Sequence, residues 1–307
     1  MHIILLSIIP GMYKSIKKNI TVFIIAFLFP CIIHAQTVTE PMTKEEWTRP
    51  FPPFRIAGNL YYVGTYDLGC YLITTANGNI LINTGTASSA EQIKKNIETL
   101  GFNYRDIKIL LLTQAHFDHA GGLAEIKQQT HASLMVDEKD AEVLDSGGST
   151  DYELGKYGTS FKPVKADVLL RDGDTVKLGD ARLVMLHHPG HTKGSCSFLF
   201  TIKDEQRSYR VLIANMPSII TDRPFADITA YPTIEQDYAY TLQVMKNINF
   251  DIWAAAHASQ FGLHEKYKPG NGYNPLAFAD PEGYMAALND LQKQYEEKMQ
   301  KEAPVKQ

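Results

Sequence analysis

Cysteine is scarce in this 307-residue sequence: Cys31, Cys70 and Cys196 are the whole complement, and no Cys-x-x-Cys spacing occurs. That excludes a thiolate zinc knuckle. Cys70 and Cys196 sit in apolar, strand-like stretches, where buried free thiols are the ordinary reading and a disulfide between them the alternative. An excess of positive charge is also missing. Thirty Lys and Arg against 34 Asp and Glu leave a net charge of −4, which offers no electrostatic reason to expect nucleic acid or an anionic membrane as partner. No apolar run reaches the roughly 20 residues needed to span a bilayer comfortably. No low-complexity linker divides the chain, so a single domain is expected after the N-terminal segment.

What is present begins with that segment. Lys14, Lys17 and Lys18 precede an almost unbroken apolar stretch over residues 20–33, and the small residue Ala35 follows. This order reads as a secretory signal peptide over residues 1–35, cleaved after Ala35, with an uncleaved anchor as the alternative. Met12 is a plausible start, and Phe29-Pro30 is poor context for lipid attachment at Cys31. Residues 36–307 would then form an exported, periplasmic domain with no stable membrane insertion. Hydrophobic residues at 44% and charged residues at 21% are ordinary for a chain that buries a core.

Periodicity divides this domain into two similar halves. Residues 60–63, 71–74 and 80–83 read as strands, and Ser88-Ser89-Ala90-Glu91 reads as a capping box opening a helix that carries Ile93 and Ile97 and stops at Gly101. Residues 107–112 form an apolar run short enough for a strand buried on both faces, and a short helix follows over 124–128. In the second half, strands are expected at 168–170, 175–178, 181–186, 197–201, 211–214 and 252–256. Helices are expected at 234–248 and 281–301. Strands then helix, twice over, predicts an α/β protein with two sheets packed face to face and helices outside. Gly- and Tyr-rich loops at 146–158 and 269–275 are long enough to border a site.

The residues that carry chemistry cluster at strand exits. After the run 107–112 come Gln114, His116, Asp118 and His119, two imidazoles and a carboxylate within four residues. Zinc takes His nitrogen and Asp oxygen, so the residue types fit that metal. The Pro189-Gly190 step turns His191 away from its strand. His257 ends the apolar run 252–256. His187 and His188 read as core or supporting groups, and His131 and His264 as surface or supporting groups.

These motifs resemble the metallo-β-lactamase superfamily, and most closely its subclass B3 β-lactamases of the GOB-like branch. The closer match rests on Leu111-Leu112-Thr113-Gln114-Ala115-His116, on His187-His188-Pro189-Gly190-His191-Thr192-Lys193-Gly194-Ser195-Cys196-Ser197, and on Ala256-His257-Ala258-Ser259-Gln260-Phe261. The resemblance implies a four-layer αβ/βα sandwich and one or two Zn²⁺ per chain. It implies one site from Gln114, His116 and His191, and a second from Asp118, His119 and His257. Asp118 would also orient the attacking water, and Ser218 would help bind the substrate carboxylate. The implied activity is hydrolysis of penicillins, cephalosporins and carbapenems by zinc-activated hydroxide, conferring antibiotic resistance. Gln114 stands where the wider superfamily has histidine, a weaker donor. Asn215-Met216 stands where lactonase-like and glyoxalase-II-like members carry a bridging Asp, and Met216 cannot bridge hard cations. Asn83-Thr84-Gly85 replaces an Asp-containing turn and is expected to support the site. Another superfamily hydrolase, such as an acyl-homoserine lactonase, is the alternative enzyme. An exported zinc-binding module without catalysis is the alternative of a different class.

Overall fold

The computed structural model describes residues 37–303, so the signal segment expected over 1–35 lies outside the described residues. After the short helix α1 (Glu45–Thr48), seven strands form one sheet in chain order: β1 (Phe54–Ala57), β2 (Leu60–Tyr62), β3 (Tyr71–Thr75), β4 (Gly78–Ile82), β5 (Ile107–Leu111), β6 (Ser133–Asp137) and β7 (Val168–Leu170). The first four pair antiparallel. From β4 onward the pairing is parallel, which needs crossovers. These contain α2 (Ser89–Thr99), then α3 (Phe117–Ala120) with α4 (Leu123–Thr130), then α5 (Ala141–Asp145).

A second sheet holds β8 (Thr175–Leu178), β9 (Ala181–His187), β10 (Cys196–Lys203), β11 (Ser208–Ala214) and β12 (Ile252–Ala255) in the order β12-β11-β10-β9-β8. Its single parallel pair, β11 with β12, is bridged by α6 (Ile234–Met245). The chain then passes α7 (Leu263–Lys266) and ends in α8 (Pro281–Glu302). Among the described residues no helix is long and apolar enough to cross a membrane.

Alternation along the strands makes the layers. Ile73, Ile80, Ile82, Ile109 and Leu111 of the first sheet share one core with Met185, Phe198, Phe200 and Ile213 of the second. The intervening Leu72, Leu81, Leu110 and Leu134 face outward onto Ile93 and Ile97 of α2 and Leu123 and Ile126 of α4. Each such fully buried aliphatic contributes roughly 1.5–3 kcal/mol. Met245 of α6 and Tyr284 and Leu288 of α8 cover the second sheet, and Tyr284 Oη donates to the Met245 carbonyl at 3.0 Å. This is the expected αβ/βα sandwich.

Three local readings are corrected. Ser88 precedes α2 in a helical conformation (φ −80°, ψ −7°) and makes no side-chain cap, so the capping box does not form. Its hydroxyl instead meets Thr86 Oγ1 at 3.1 Å. Strand β5 is not buried throughout, because Lys108 is exposed. The four-residue β1 and the strand β6 were not anticipated from periodicity. Cys70 and Cys196 are both buried free thiols.

Candidate metal centre

The parallel strands bring their C-terminal ends to one edge, where open α/β sheets ordinarily build their sites. The turn leaving β5 is fixed at Thr113. Its N–H and hydroxyl donate to Asn83 Oδ1 at 2.9 and 3.1 Å, and its carbonyl accepts from Cys196 N at 2.8 Å and Asn215 Nδ2 at 3.1 Å. Asn83 holds this position with φ 63°, a left-handed conformation asparagine tolerates better than most residues. Asn83 thus holds the turn from which Gln114 and His116 follow. At the other turn, Gly190 adopts φ 129°, and a Cβ there would lie 2.9 Å from the Tyr238 ring. Glycine is required, and the turn it makes delivers His191. His257 follows β12 and bridges back to Leu68 beside β3.

These turns bring the expected residues together. Single ligand atoms of Asp118, His119 and His257 lie within 4.8 Å of one another. Asp118 Oδ2 is 3.2 Å from His119 Nε2 and 3.4 Å from His257 Nε2. The His116 and His191 rings lie 4.9 Å apart. Gln114 lines the same cleft, with its Oε1 buried.

The outer nitrogens of three histidines are held by other groups, which decides the nitrogen left to ligate. His116 Nε2 pairs with Asp151 Oδ2 at 3.3 Å, leaving Nδ1. His191 Nδ1 donates to the Ser218 carbonyl at 2.7 Å, leaving Nε2. His257 Nδ1 pairs with Asp67 Oδ2 at 3.1 Å, leaving Nε2. Asp67 is itself fixed by Trp47 Nε1 at 3.2 Å and Ser259 N at 2.9 Å.

Charge follows from the same contacts. Burial alone would raise the Asp118 carboxyl, but His119 and then His257 outweigh it and hold it well below the usual range. Burial, reinforced by His116, drives His191 down to about 3, so it is neutral with a free lone pair. Burial opposes a charged His257, yet Asp118 and Asp67 lift it to about 9. Burial likewise opposes charge on His116, and Asp151 turns the balance upward.

Gln114, His116, Asp118, His191 and His257 line a cleft of about 610 Å³ with Trp47, Asp67, Ser218, Ile220 and the loop residues Glu153, Leu154, Lys156 and Tyr157, and His119 lies buried behind Asp118. The loop at 146–158 therefore borders the site. The loop at 269–275 does not; it lines a separate cavity of about 500 Å³ with Phe54 and Tyr267. Lys156 pairs with Glu153, which also receives Arg223 at 3.0 Å. Lys44, also in the cleft, has no carboxylate partner among the described residues and sits over the Trp47 ring at 5.2 Å.

Ser218 reaches the cleft, where its hydroxyl stands 3.2 Å from His191 Nδ1. His187 pairs with Asp137 at 2.6 Å and buried His188 with Ser197 at 2.7 Å, both as supporting groups. His131 is exposed and His264 bonds the Tyr66 carbonyl, away from the cluster. The sequence reading missed Asp67 and Asp151. Asp151 falls inside the loop already marked as site-bordering; Asp67 carried no local signal.

The donor set fits zinc. Gln114 Oε1 is buried with no hydrogen-bond partner among the described residues, an arrangement that is costly unless something else occupies its lone pairs, and the buried His119 Nε2 has only the Asp118 carboxylate beside it, at 3.2 Å. Imidazole nitrogens, a carboxylate and an amide oxygen directed at one cleft are ligands that Zn²⁺ accepts.

Comparison with known proteins agrees with this geometry. The model of the metallo-beta-lactamase superfamily matches residues 70–204. The metallo-beta-lactamase GOB-18 from Elizabethkingia meningoseptica is 62% identical, covering 87% of this chain and 99% of that one, with a TM-score of 0.86. The class B3 di-zinc metallo-beta-lactamase LRA-12 from an Alaskan soil metagenome is also 62% identical, over 85% of this chain and 99% of that one, with a TM-score of 0.84. Several curated relatives are spanned over about three-fifths of their length: the uncharacterized protein YobT of Bacillus subtilis is 31% identical over 149 residues, 46% of this chain and 60% of that one.

Proposed function

This chain belongs to the metallo-beta-lactamase superfamily, in the GOB-like branch of subclass B3, and from that premise we propose that it is a zinc-dependent β-lactamase. The observation that carries the proposal is the convergence of two three-residue donor groups, Gln114–His116–His191 and Asp118–His119–His257, on one open cleft, whose wall is formed by all of them except the more deeply buried His119. A purely structural zinc site is closed by four ligands; three protein ligands leave a position for water or substrate.

When bound, zinc supplies a Lewis acid that polarises the lactam carbonyl and makes water acidic enough to act near neutral pH. The chain's own residues do the rest. Asp118, held anionic between two imidazoles and open to the cleft, orients the attacking water and accepts hydrogen bonds from it. As the C–O bond forms and the amide C–N bond breaks, a proton from the water ends on the departing ring nitrogen. Ser218 and Lys44 are the groups in the cleft suited to the substrate's carboxylate, one by hydrogen bond and the other by charge. Trp47 packs on Phe117 and His257 at ring distances of 5.9 and 5.7 Å and helps exclude water behind the second donor group.

Within the superfamily, the residue after β11 argues against a lactonase. Met216 is buried in the core, and Asn215 is committed to Thr113 and Ser197, so neither offers the bridging carboxylate of those enzymes. Assaying a carbapenem and an acyl-homoserine lactone side by side tests this; turnover of the lactone alone would reverse the assignment. The basic cluster, apolar run and Ala35 support export, with residues 36–307 as the mature periplasmic enzyme. Protein recovered from the periplasm should begin near Gln36, and a mature form retaining Lys14–Lys18 would contradict it.

A further inference from the structure

Asp140 lies just before α5, far in sequence from every donor residue, and is 2% exposed. Its two oxygens take three hydrogen bonds. Oδ2 accepts from Ala115 N at 2.7 Å and from Thr192 Oγ1 at 2.9 Å, while Oδ1 accepts from Gly194 N at 2.8 Å. Ala115 stands between Gln114 and His116, and Thr192 follows His191. One buried carboxylate thus grips both turns that supply the Gln114–His116–His191 donors. The approach is close enough to dictate sequence. A Cβ on Gly194 would lie 2.5 Å from Asp140 N and 2.7 Å from its Cβ and Cγ.

The turn held at Ala115 runs on to Asp118 and His119, but among the described residues none of Asp118, His119 and His257 hydrogen-bonds Asp140 and nothing ties Asp140 to the His257 turn, whose supporting carboxylate is Asp67. The first group also has more to lose. Its donors are neutral, and Gln114 offers an amide oxygen, so it lacks the Coulombic attraction that Asp118 gives its neighbours. Affinity there depends on how well three uncharged atoms are held convergent before metal arrives.

We infer that Asp140 is the positioning residue of the Gln114–His116–His191 half-site, clamping two turns in register so that this half-site, and not the other, depends on it. The inference rests on the two-half-site reading above. Asparagine at position 140 removes one acceptor. Whichever way the amide turns, at least one N–H or O–H donor then faces an NH₂.

The test is stepwise titration of metal-free protein with zinc, and separately with cobalt(II), followed by bound metal and by the cobalt absorption bands. Wild type is compared with Asp140→Asn, Thr192→Val and Thr192→Ser. At saturating metal the wild type should bind two equivalents, one more tightly than the other. In Asp140→Asn the weaker equivalent should lose about 10–100-fold in affinity, with its cobalt bands altered and the tighter equivalent unchanged. Thr192→Val removes one of the three bonds and keeps the shape, so it should give a smaller loss at the same equivalent even if Asp140→Asn does not fold. Thr192→Ser should restore it. Equal weakening of both equivalents, or none in either Asp140→Asn or Thr192→Val, overturns the inference. A wild type that binds no metal overturns instead the metal-centre reading on which it rests.

Discussion

Replacing Asp151 with asparagine alters what His116 meets while leaving the loop's own hydrogen bonds intact. Asp151 Oδ1 accepts from Glu153 N at 2.9 Å and Leu154 N at 2.6 Å, and an asparagine oxygen can keep both. The other carboxylate oxygen, 3.3 Å from His116 Nε2 on a side chain only 2% exposed, becomes an NH₂ group. A donor then faces the nitrogen that carried the proton. The imidazole relieves this by moving its proton to Nδ1, the nitrogen the metal needs. Loss of such an outer partner typically costs about 10–100-fold in metal affinity or activity, or about 1.4–2.8 kcal/mol. Asp151→Ala should show the same catalytic loss and, because the buried Glu153 N–H and the half-buried Leu154 N–H lose their acceptor, a further stability loss of about 1–3 kcal/mol. Zinc affinity, kcat/KM and thermal unfolding of wild type, Asp151→Asn and Asp151→Ala read the three quantities separately. Asp151→Asn with wild-type zinc affinity and turnover would refute the tautomer argument.

Asp118→Ala should lower turnover by several orders of magnitude with the fold retained, checked by steady-state kinetics and circular dichroism; retention of more than about a tenth of wild-type activity would be a smaller loss than even an outer partner's removal causes and would contradict its role. Gln114→His exchanges an amide oxygen for an imidazole, and should increase zinc bound per chain under limiting metal, read by titration of the metal-free protein. Two equal, tight equivalents in the wild type, unchanged by that substitution, would show that Gln114 does not set the order of filling. Lys44→Met removes the cleft cation that has no carboxylate partner among the described residues. It should raise KM for a carboxylate-bearing substrate several-fold with kcat little changed, as loss of uniform binding does. Lys44→Arg should keep KM near wild type.

Much of this was legible because it is local. Runs such as 107–112, apolar except for Lys108, and 252–256 have strand length, and β5 and β12 lie on them. The donor residues sit directly at those strand exits, so the cluster showed in the sequence before any fold was known. What escaped depends on contacts between distant segments. Asp67 meets His257 190 positions later, and Asp140 meets Thr192 and Gly194 across 52 and 54 positions. No periodicity encodes such pairs. The failed capping box shows the limit of local rules as well. Ser88 has the right residue type and spacing, yet its helical backbone and the Thr86 hydroxyl take the side chain elsewhere.

The central claim is that these donors make a zinc β-lactamase. Its most direct test is zinc content of the purified protein, measured together with hydrolysis of a penicillin, a cephalosporin and a carbapenem before and after chelation. The account predicts one to two zinc ions per chain, measurable hydrolysis of β-lactam, loss of that activity with the metal, and its return on adding zinc. Zinc-loaded, folded protein that opens none of the three rings would contradict it.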